Sequence, residues 1–352
     1  MNFELVVDEL KGAKLAELFQ VNNYVDSLIK IQNSAHKIDA DGFPKCPHCG
    51  NEIVKKNGKM PNGTQRYLCL NDKCKKSFSS NTNSFSYRLR KLKDYLYLMI
   101  EYTLDGLSIR NISKKLNIPI NTVWMWRTKI LLSLETFIDK ENPLTDVVYS
   151  DETFIKINLK GTKNHKMPRV SYYEGRPAIA HRELVCIQTV IDDSKRTIFD
   201  INGVARLSKE RLDLFLKPFI NEETIIVSDG DYSYVGFAEK YLLQHERIIN
   251  MYEKSKNGYS LGPINNLHSS FKSFMKKYKG VSTRRLNGYI NLFILDNYLN
   301  QILNGYEKVE YIYESLLALE NNPTFEEIFN VKFPIDVKAI YDSLRKDGYI
   351  MQ

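Results

Sequence analysis

Four cysteines lie in two close pairs near the amino end of the chain, and they restrict how that region can fold. They are Cys46 and Cys49, in C-P-H-C, followed by Cys69 and Cys74, in C-L-N-D-K-C. Two thiolate pairs separated by residues 50–68 can close a tetrahedron around one Zn²⁺, because a short hairpin fits between them. The spacing therefore predicts a zinc ribbon over residues 41–82.

Two disulfides are the alternative interpretation of these cysteines. The amino end does not favour it, because MNFELVVDELKGAKLAELF lacks the basic start and apolar run of a secretory signal. Gly50 follows the first pair, where the backbone must turn beneath the sulfurs. His48 could replace a thiolate, but with four thiols present we expect a solvated loop residue. Cys186 stands alone in LVCIQTV, where we expect a buried strand thiol.

Positive charge is concentrated in one part of this chain of 352 residues, whose net charge is +8. Residues 45–129 contain 17 Lys and Arg against five Asp and Glu, so the remainder is net acidic. A basic block beside a nearly neutral body is typical of a polyanion-binding protein. No run of about 18 apolar residues occurs, so we expect no membrane partner. The richness in Lys, Asn, Ile and Tyr favours an AT-rich prokaryotic genome. For a DNA-binding protein of such a genome we expect a cytoplasmic, nucleoid-associated location.

The basic block contains a second motif, G-L-S-I-R-N-I-S-K-K-L-N-I-P-I-N-T-V-W-M-W-R-T-K-I-L-L, within residues 88–140. Ser108 is a candidate helix cap, and residues 117–120 form a turn between two amphipathic helices. The second helix is expected to open at Asn121 or Thr122, with Val123, Trp126 and Ile130 facing inward. This spacing predicts a helix-turn-helix, although an ordinary helical hairpin shares it. The outward residues that could reach DNA are Asn121, Thr122, Met125, Arg127 and Lys129.

Strand patterns replace helical ones after residue 143. The predicted order over residues 145–302 is three strands, helix, strand, helix, strand and helix. Three antiparallel strands continued by helix-linked parallel strands are typical of an RNase H-like mixed α/β sheet. The chain is therefore predicted to be multidomain, with a small zinc ribbon, a helical DNA-binding domain and an α/β domain. Segments 1–40 and 303–352 are predicted to be helical, the latter as a C-terminal tail.

Two carboxylates are placed to meet if this topology is correct. Asp151 lies in the first strand of the sheet, and Asp229 ends the fourth, at the carboxyl edge where such sheets place their sites. A pair of hard divalent cations, Mg²⁺ or Mn²⁺, would relieve the repulsion and serve phosphoryl transfer. Glu152 and Asp231 are the alternatives, although strand alternation directs Glu152 to the opposite face.

The third metal ligand is expected from the start of the last helix of the sheet domain, in GPINNLHSSFKSFMKKYKGVST. This segment contains no acid. Asn265 is the first candidate, through its amide oxygen, and His268, one turn later, is the alternative. Lys272 shares a helix face with Asn265 and could contact DNA phosphate. A neutral ligand predicts weaker Mg²⁺ affinity than a carboxylate would give.

The chain resembles insertion-sequence transposases of the 1595 family. The ribbon cysteines, the strand V-V-Y-S-D-E-T-F-I and the segment V-S-D-G-D-Y-S-Y carry the resemblance, together with N-N-L-H-S-S-F-K and the K-G-V-S-T-R-R-L-N-G-Y that follows it. The resemblance covers about residues 44–300 and implies a DDE-type catalytic domain whose first two acids are Asp151 and Asp229. Branches of this family look to have Asn or His where others have Glu, so Asn265 is compatible with catalysis.

Three functions are compatible with these features. The first is a DNA transposase that binds the terminal repeats of its own element and cleaves and joins strands, as a homodimer or larger assembly on double-stranded DNA. The second is a domesticated transposase that binds DNA as a regulator and has lost catalysis, which the absence of an acid at Asn265 favours. The third, a zinc-ribbon transcription factor with an unrelated body, leaves the placement of Asp151 and Asp229 unexplained.

Overall fold

A computed structural model describes residues 44–346 apart from 62, 64, 80–81, 84, 86, 88, 90–91, 162–183, 205–206, 208, 250–252 and 320–321. The helices predicted in residues 1–40 lie outside the described residues. The strands are β1 (Val54–Lys59), β2 (Gln65–Cys69), β3 (Ser77–Ser79), β4 (Val147–Lys156), β5 (Leu184–Asp192), β6 (Thr197–Val204), β7 (Ile225–Ser228) and β8 (Gln244–Arg247). The helices are α1 (Leu92–Leu104), α2 (Ile109–Leu116), α3 (Ile120–Ser133), α4 (Lys209–Leu216), α5 (Tyr232–Tyr241), α6 (Gly262–Lys277), α7 (Leu286–Leu299), α8 (Gly305–Ala318), α9 (Phe325–Phe329) and α10 (Val337–Lys346).

The chain forms two compact units, of which the first comprises residues up to Thr103 together with Leu303–Thr324. It contains the antiparallel sheet β1-β2-β3. Tyr67 and Phe78 stack across β2 and β3, with ring centroids 5.6 Å apart. The core beneath this sheet is small, as expected for a segment that a metal would complete.

The second unit comprises Leu104–Ile302 and the chain from Phe325 onward. Its sheet has the order β6-β5-β4-β7-β8, in which β6, β5 and β4 are antiparallel and β4, β7 and β8 are parallel. Helices α4 and α5 pack against one face of the sheet, and α6 and α7 pack against the other. The predicted succession of strands and helices is confirmed, and the parallel strands bring their carboxyl ends to a single edge.

Helices α2 and α3 join as the sequence predicts, with one shift of boundary. The Ser108 side chain caps α2 by accepting a hydrogen bond from the Asn111 backbone N–H, at 3.2 Å. Asn117 ends the helix with φ of +52°, a conformation that asparagine tolerates well. Helix α3 then begins at Ile120, one residue before the predicted start.

Helix α3 is enclosed by elements distant in sequence. A Cβ added at Gly288 in α7 would lie 2.9 Å from the Cβ of Leu131, so the two helices approach closely. The ring of Trp124 packs against Phe329 of α9 and lies beneath the Arg285 guanidinium. The α3 helix therefore belongs to the core of the second unit. Among the described residues, no helix is both long and apolar enough to cross a bilayer.

Candidate active site and metal centre

The four ribbon cysteines come together in the first unit. One ligand atom from each of the four lies within 4.8 Å of the others. Cys46 and Cys74 have sulfurs 3.8 Å apart, and Cys49 and Cys69 have sulfurs 3.6 Å apart. Tetrahedral zinc with Zn–S bonds of 2.3 Å requires sulfurs about 3.8 Å apart. The spacing therefore fits zinc, and the disulfide alternative is wrong because all five cysteines are free.

Backbone turns position these sulfurs, and a neighbouring side-chain amide stabilises the thiolate form. Gly50 has φ of +72°, as predicted for the turn beneath the first pair, while Lys75 takes the corresponding positive φ beside the second. The side-chain amide of Asn51 donates to the Cys69 sulfur, at 3.7 Å. N–H donors aimed at sulfur stabilise the thiolate, the form that binds metal. These four cysteines could therefore hold a metal such as zinc.

Asp151 and Asp229 are brought to one edge of the larger sheet. Strands β4 and β7 are parallel, and Tyr149 pairs with Val227. Asp151 lies two residues beyond Tyr149, and Asp229 lies two residues beyond Val227. Continuing the same register places the two aspartates side by side, at the carboxyl end of β7. Parallel α/β sheets place their sites at this edge.

Burial and nearby charges shift the pKa of Asp151. Its side chain is 21% exposed. Burial, followed by the charge of Asp229, raises the pKa of Asp151 to about 6, while the backbone N–H of Glu152 and the charge of Lys272 act in the opposite direction. A cation at this position would be favoured, since it would relieve the mutual repulsion of the two carboxylates.

Glu152 faces away from Asp151, as strand alternation predicts. Its Oε1 accepts a hydrogen bond of 2.8 Å from the Tyr234 hydroxyl of α5. Burial raises the pKa of Glu152 to about 8, and the charges of Asp151 and Asp229 add to the increase. Glu152 thus joins the sheet to α5 on the face opposite Asp151.

Asp231 stabilises the backbone at the start of α5. Its side chain accepts a 2.7 Å hydrogen bond from the Ser233 backbone N–H and so caps α5. Its own N–H donates to Asp229 Oδ1, at 2.9 Å, which fixes the orientation of that carboxylate. Because the Asp231 carboxylate caps α5, Asp229 is the carboxylate that continues the β7 register. Arg247, at the end of β8, donates to the Gly230 carbonyl and steadies the same loop.

Helix α6 supplies a histidine to the Asp151 side of the sheet. His268 is buried, and its Nδ1 lies 3.6 Å from Asp151 Oδ2. Its Nε2 lies 2.5 Å from the hydroxyl of Thr189 on β5. Burial, assisted by the charge of Lys272, lowers the pKa of His268 to about 4. The imidazole is therefore neutral at neutral pH and can offer a lone pair.

The other two candidates on α6 lie on either side of His268 in sequence. Asn265 occupies the first turn of the helix and is half-buried. Lys272 is exposed, and its charge acts on both Asp151 and His268. The structure thus brings a cationic side chain into the electrostatic range of the candidate catalytic acids.

The predicted orientation of two DNA-binding candidates is wrong. Arg127 and Lys129 are only 3% and 4% exposed, so they do not project from α3 toward solvent. Arg127 instead donates a 2.6 Å hydrogen bond to the Leu107 carbonyl. They are buried because other elements of the second unit enclose α3, beyond its pairing with α2. Asn121 is exposed and Thr122 is half-buried, as an accessible helix start requires.

Sequence reasoning missed Thr189 and Tyr234, which contact the candidate catalytic residues. Thr189 lies directly opposite Asp151 in the β4–β5 pair. The hydroxyl of Tyr234 lies between Glu152 and Ser150. Pairing the two predicted strands in register would have pointed to Thr189, whereas no local signal indicated the buried position of Tyr234.

Comparison with known families agrees with this geometry. Residues 143–294 match the family described as the ISXO2-like transposase domain. The sheet and the helices packed on it are therefore a transposase domain. For this part of the chain, the match confirms the resemblance to insertion-sequence transposases of the 1595 family. No curated protein matches the chain.

Proposed function

We propose that the protein is a DNA transposase whose second unit contains an RNase H-like catalytic domain. One observation carries the proposal, namely the side-by-side register of Asp151 and Asp229 at the carboxyl edge of a sheet within a transposase domain. Double-stranded DNA, as terminal repeats and as target, is the proposed substrate. The proposed reaction is metal-dependent strand cleavage followed by strand transfer.

The side chains at this edge suit divalent cations. Asp151 and Asp229 offer carboxylate oxygens, the ligands that Mg²⁺ and Mn²⁺ prefer. Bound there, two such ions would supply charge stabilisation for in-line displacement at phosphorus. His268 is the favoured third ligand because its Nδ1 faces Asp151 Oδ2, and Asn265 remains a candidate one turn earlier.

The protein groups then have distinct tasks. The fixed carboxylates align the reacting centre, and exposed Lys272 is placed to contact a DNA phosphate from the same side. The same edge can serve two successive displacements, first by water and then by a freed 3′-hydroxyl, because each has oxygen attacking and oxygen leaving. Pairing two DNA ends at two such edges calls for a homodimer or larger assembly.

Binding of the terminal repeats is assigned to the basic half of the chain. The ribbon presents exposed lysines on β1, among them Lys55, Lys56 and Lys59. In α3, exposed Asn121 and half-buried Thr122 are the residues proposed to approach base edges. With Arg127 and Lys129 buried, phosphate contacts are assigned to the ribbon lysines instead.

The test uses labelled DNA from the flanks of the gene itself, incubated with purified full-length protein in Mg²⁺ and then in Mn²⁺. Asp151→Asn and Asp229→Asn should abolish nicking and joining while repeat binding persists. Asp200→Asn is the matched control, because Asp200 is an exposed aspartate on β6 of the same sheet. Retained cutting in both Asp151→Asn and Asp229→Asn would show that the site is misassigned.

A second function, a DNA-binding regulator without catalysis, is favoured by one observation. Helix α6 contains no carboxylate, so it offers only neutral third ligands. Specific repeat binding by the wild-type protein without cutting in either metal would support this function. Asn265→Glu separates the two cases, because a degenerate site would stay silent whereas a working site would keep its activity or change its metal preference.

A further inference from the structure

Thr189 is a buried hydroxyl at the centre of the candidate site. It lies on β5 directly opposite Asp151 and is 0% exposed. Its Oγ1 is 2.8 Å from the backbone carbonyl oxygen of Asp151 and 2.5 Å from His268 Nε2. One hydroxyl thus joins two strands of the sheet to helix α6.

Only one arrangement of hydrogens satisfies both contacts. A backbone carbonyl can only accept, so the single hydrogen of Thr189 must be donated to Asp151. The threonine oxygen can then only accept from His268, which requires the hydrogen of the ring to lie on Nε2. A neutral ring with its hydrogen on Nε2 carries a lone pair on Nδ1.

The Nδ1 lone pair is directed toward Asp151. Nδ1 and Asp151 Oδ2 are 3.6 Å apart, farther than the roughly 2.7–2.9 Å of a charge-assisted hydrogen bond. The two atoms therefore face each other as acceptors. Neighbouring ligands of an octahedral ion with bond lengths near 2.1 Å lie about 3.0 Å apart. The two atoms would therefore approach each other by about 0.6 Å to hold one cation between them.

We propose that Thr189 is a positioning residue that holds His268 in the Nε2–H tautomer, so that Nδ1 is presented to the divalent cation bound by Asp151. This inference rests on the proposed function, since it requires a cation at Asp151. Thr189 does not touch the cation. It acts through the ring orientation of His268, as hydrogen-bond partners of metal-binding histidines do.

The test measures Mn²⁺ binding to the zinc-loaded full-length protein, by electron paramagnetic resonance of the free ion. Thr189→Val removes the hydroxyl at nearly constant shape and should weaken Mn²⁺ affinity roughly 10–100-fold. Thr189→Ser keeps the hydroxyl and should stay within about threefold of wild type. Thr153→Val is the matched control, because Thr153 is buried on β4 and its hydroxyl has no hydrogen-bond partner among the described residues.

The outcomes separate this inference from the proposed function. Equal Mn²⁺ affinity in wild type and Thr189→Val would overturn the role of Thr189, provided that Asp151→Asn loses the ion. Equal weakening in Thr189→Ser and Thr189→Val would overturn it too, because the hydroxyl would then be irrelevant. Equal Mn²⁺ binding by wild type and Asp151→Asn would instead show that Asp151 holds no cation. That result would contradict the proposed function as well.

A second measurement covers the case in which Thr189→Val fails to fold. The ¹⁵N chemical shifts of the ring nitrogens in histidine-labelled wild-type protein report the tautomer directly, and His268→Gln assigns the signals of His268. The hydrogen is expected on Nε2. A hydrogen on Nδ1 in the metal-free protein would overturn the inference.

Discussion

The Tyr234 hydroxyl donates a 2.8 Å hydrogen bond to Glu152 Oε1, joining helix α5 to the strand that carries Asp151. Tyr234 is fully buried, and its oxygen also accepts from the Ser150 hydroxyl, at 3.2 Å. The helix that follows Asp229 is thus fixed to the residue that follows Asp151. Two flanking residues hold the two candidate catalytic acids in register from the face opposite His268.

Tyr234→Phe should therefore destabilise the second unit by roughly 1–3 kcal/mol, because the buried Glu152 carboxyl loses its donor. The two tryptophans of the chain, Trp124 and Trp126, both lie in α3, so their fluorescence during urea unfolding reports on this unit. Tyr232→Phe is the matched control, since Tyr232 lies on the same helix but is 74% exposed. Equal stability of the two variants would show that the hydrogen bond contributes nothing measurable.

Because Lys129 is buried, the free energy of unfolding is expected to depend on pH. Burial lowers the pKa of Lys129 to about 8, from 10.5. Below pH 8 the lysine is protonated in both the folded and the unfolded chain. The buried charge then lowers the free energy of unfolding by its full desolvation penalty. Between pH 8 and 10.5 the unfolded chain binds more protons than the folded one, so the free energy of unfolding rises with pH.

Lys129→Met should remove that increase. The stability of wild type relative to Lys129→Met should improve by roughly 1–3 kcal/mol between pH 7.5 and pH 10, measured by urea unfolding. Lys114→Met, at an exposed lysine of α2, provides the comparison for any general effect of removing a charge. A difference between wild type and Lys129→Met that does not change with pH would contradict this expectation.

The candidate metal centre of the first unit can be tested by measuring the zinc content of the protein. Cys69→Ser should reduce bound zinc from about one ion per chain to nearly none, because structural zinc requires its four ligands. Mass spectrometry of the metal content of purified protein measures this. Cys186→Ser should keep the zinc, since Cys186 is a buried thiol of β5 outside the cluster. Equal zinc in the two variants would rule out the four-sulfur site.

Gly106 is placed where a side chain cannot fit. It has φ of +76°, and an added Cβ would lie 2.5 Å from the Cβ of Lys277, at the end of α6. Gly106→Ala should therefore destabilise the second unit by about 1–3 kcal/mol. Gly236→Ala, in α5 with open space around it, should stabilise by roughly 0.5–1 kcal/mol. The same tryptophan fluorescence measures both, and effects of equal sign would contradict this account.

The sequence predicted features that local pattern determines and missed those that depend on distant packing. Cysteine spacing indicated the candidate metal centre, because both pairs lie in one short hairpin. Alternation correctly separated the faces of Asp151 and Glu152. Arg127 and Lys129 were assigned to the outside of α3 because helical periodicity could not indicate that Arg285 and Phe329 pack beside that helix, about 160 to 200 residues later in the chain.

From the sequence, Asn265 is the first candidate for the third ligand and His268 is the alternative. On one helix the two residues are a turn apart, and only the position of β5 shows that the His268 ring lies between Thr189 and Asp151. A neutral imidazole there offers one lone pair to a cation.

His268→Ala should accordingly weaken Mn²⁺ binding more than Asn265→Ala does, by about tenfold or more against a few-fold. Titration of the zinc-loaded protein with Mn²⁺ measures both, and thermal unfolding checks that each variant is folded. Asn265→Glu adds a carboxylate in the first turn of α6 and should tighten Mn²⁺ binding only if this turn reaches the ion. If Asn265→Ala proves the more damaging change, the amide is the third ligand and His268 serves to orient Asp151.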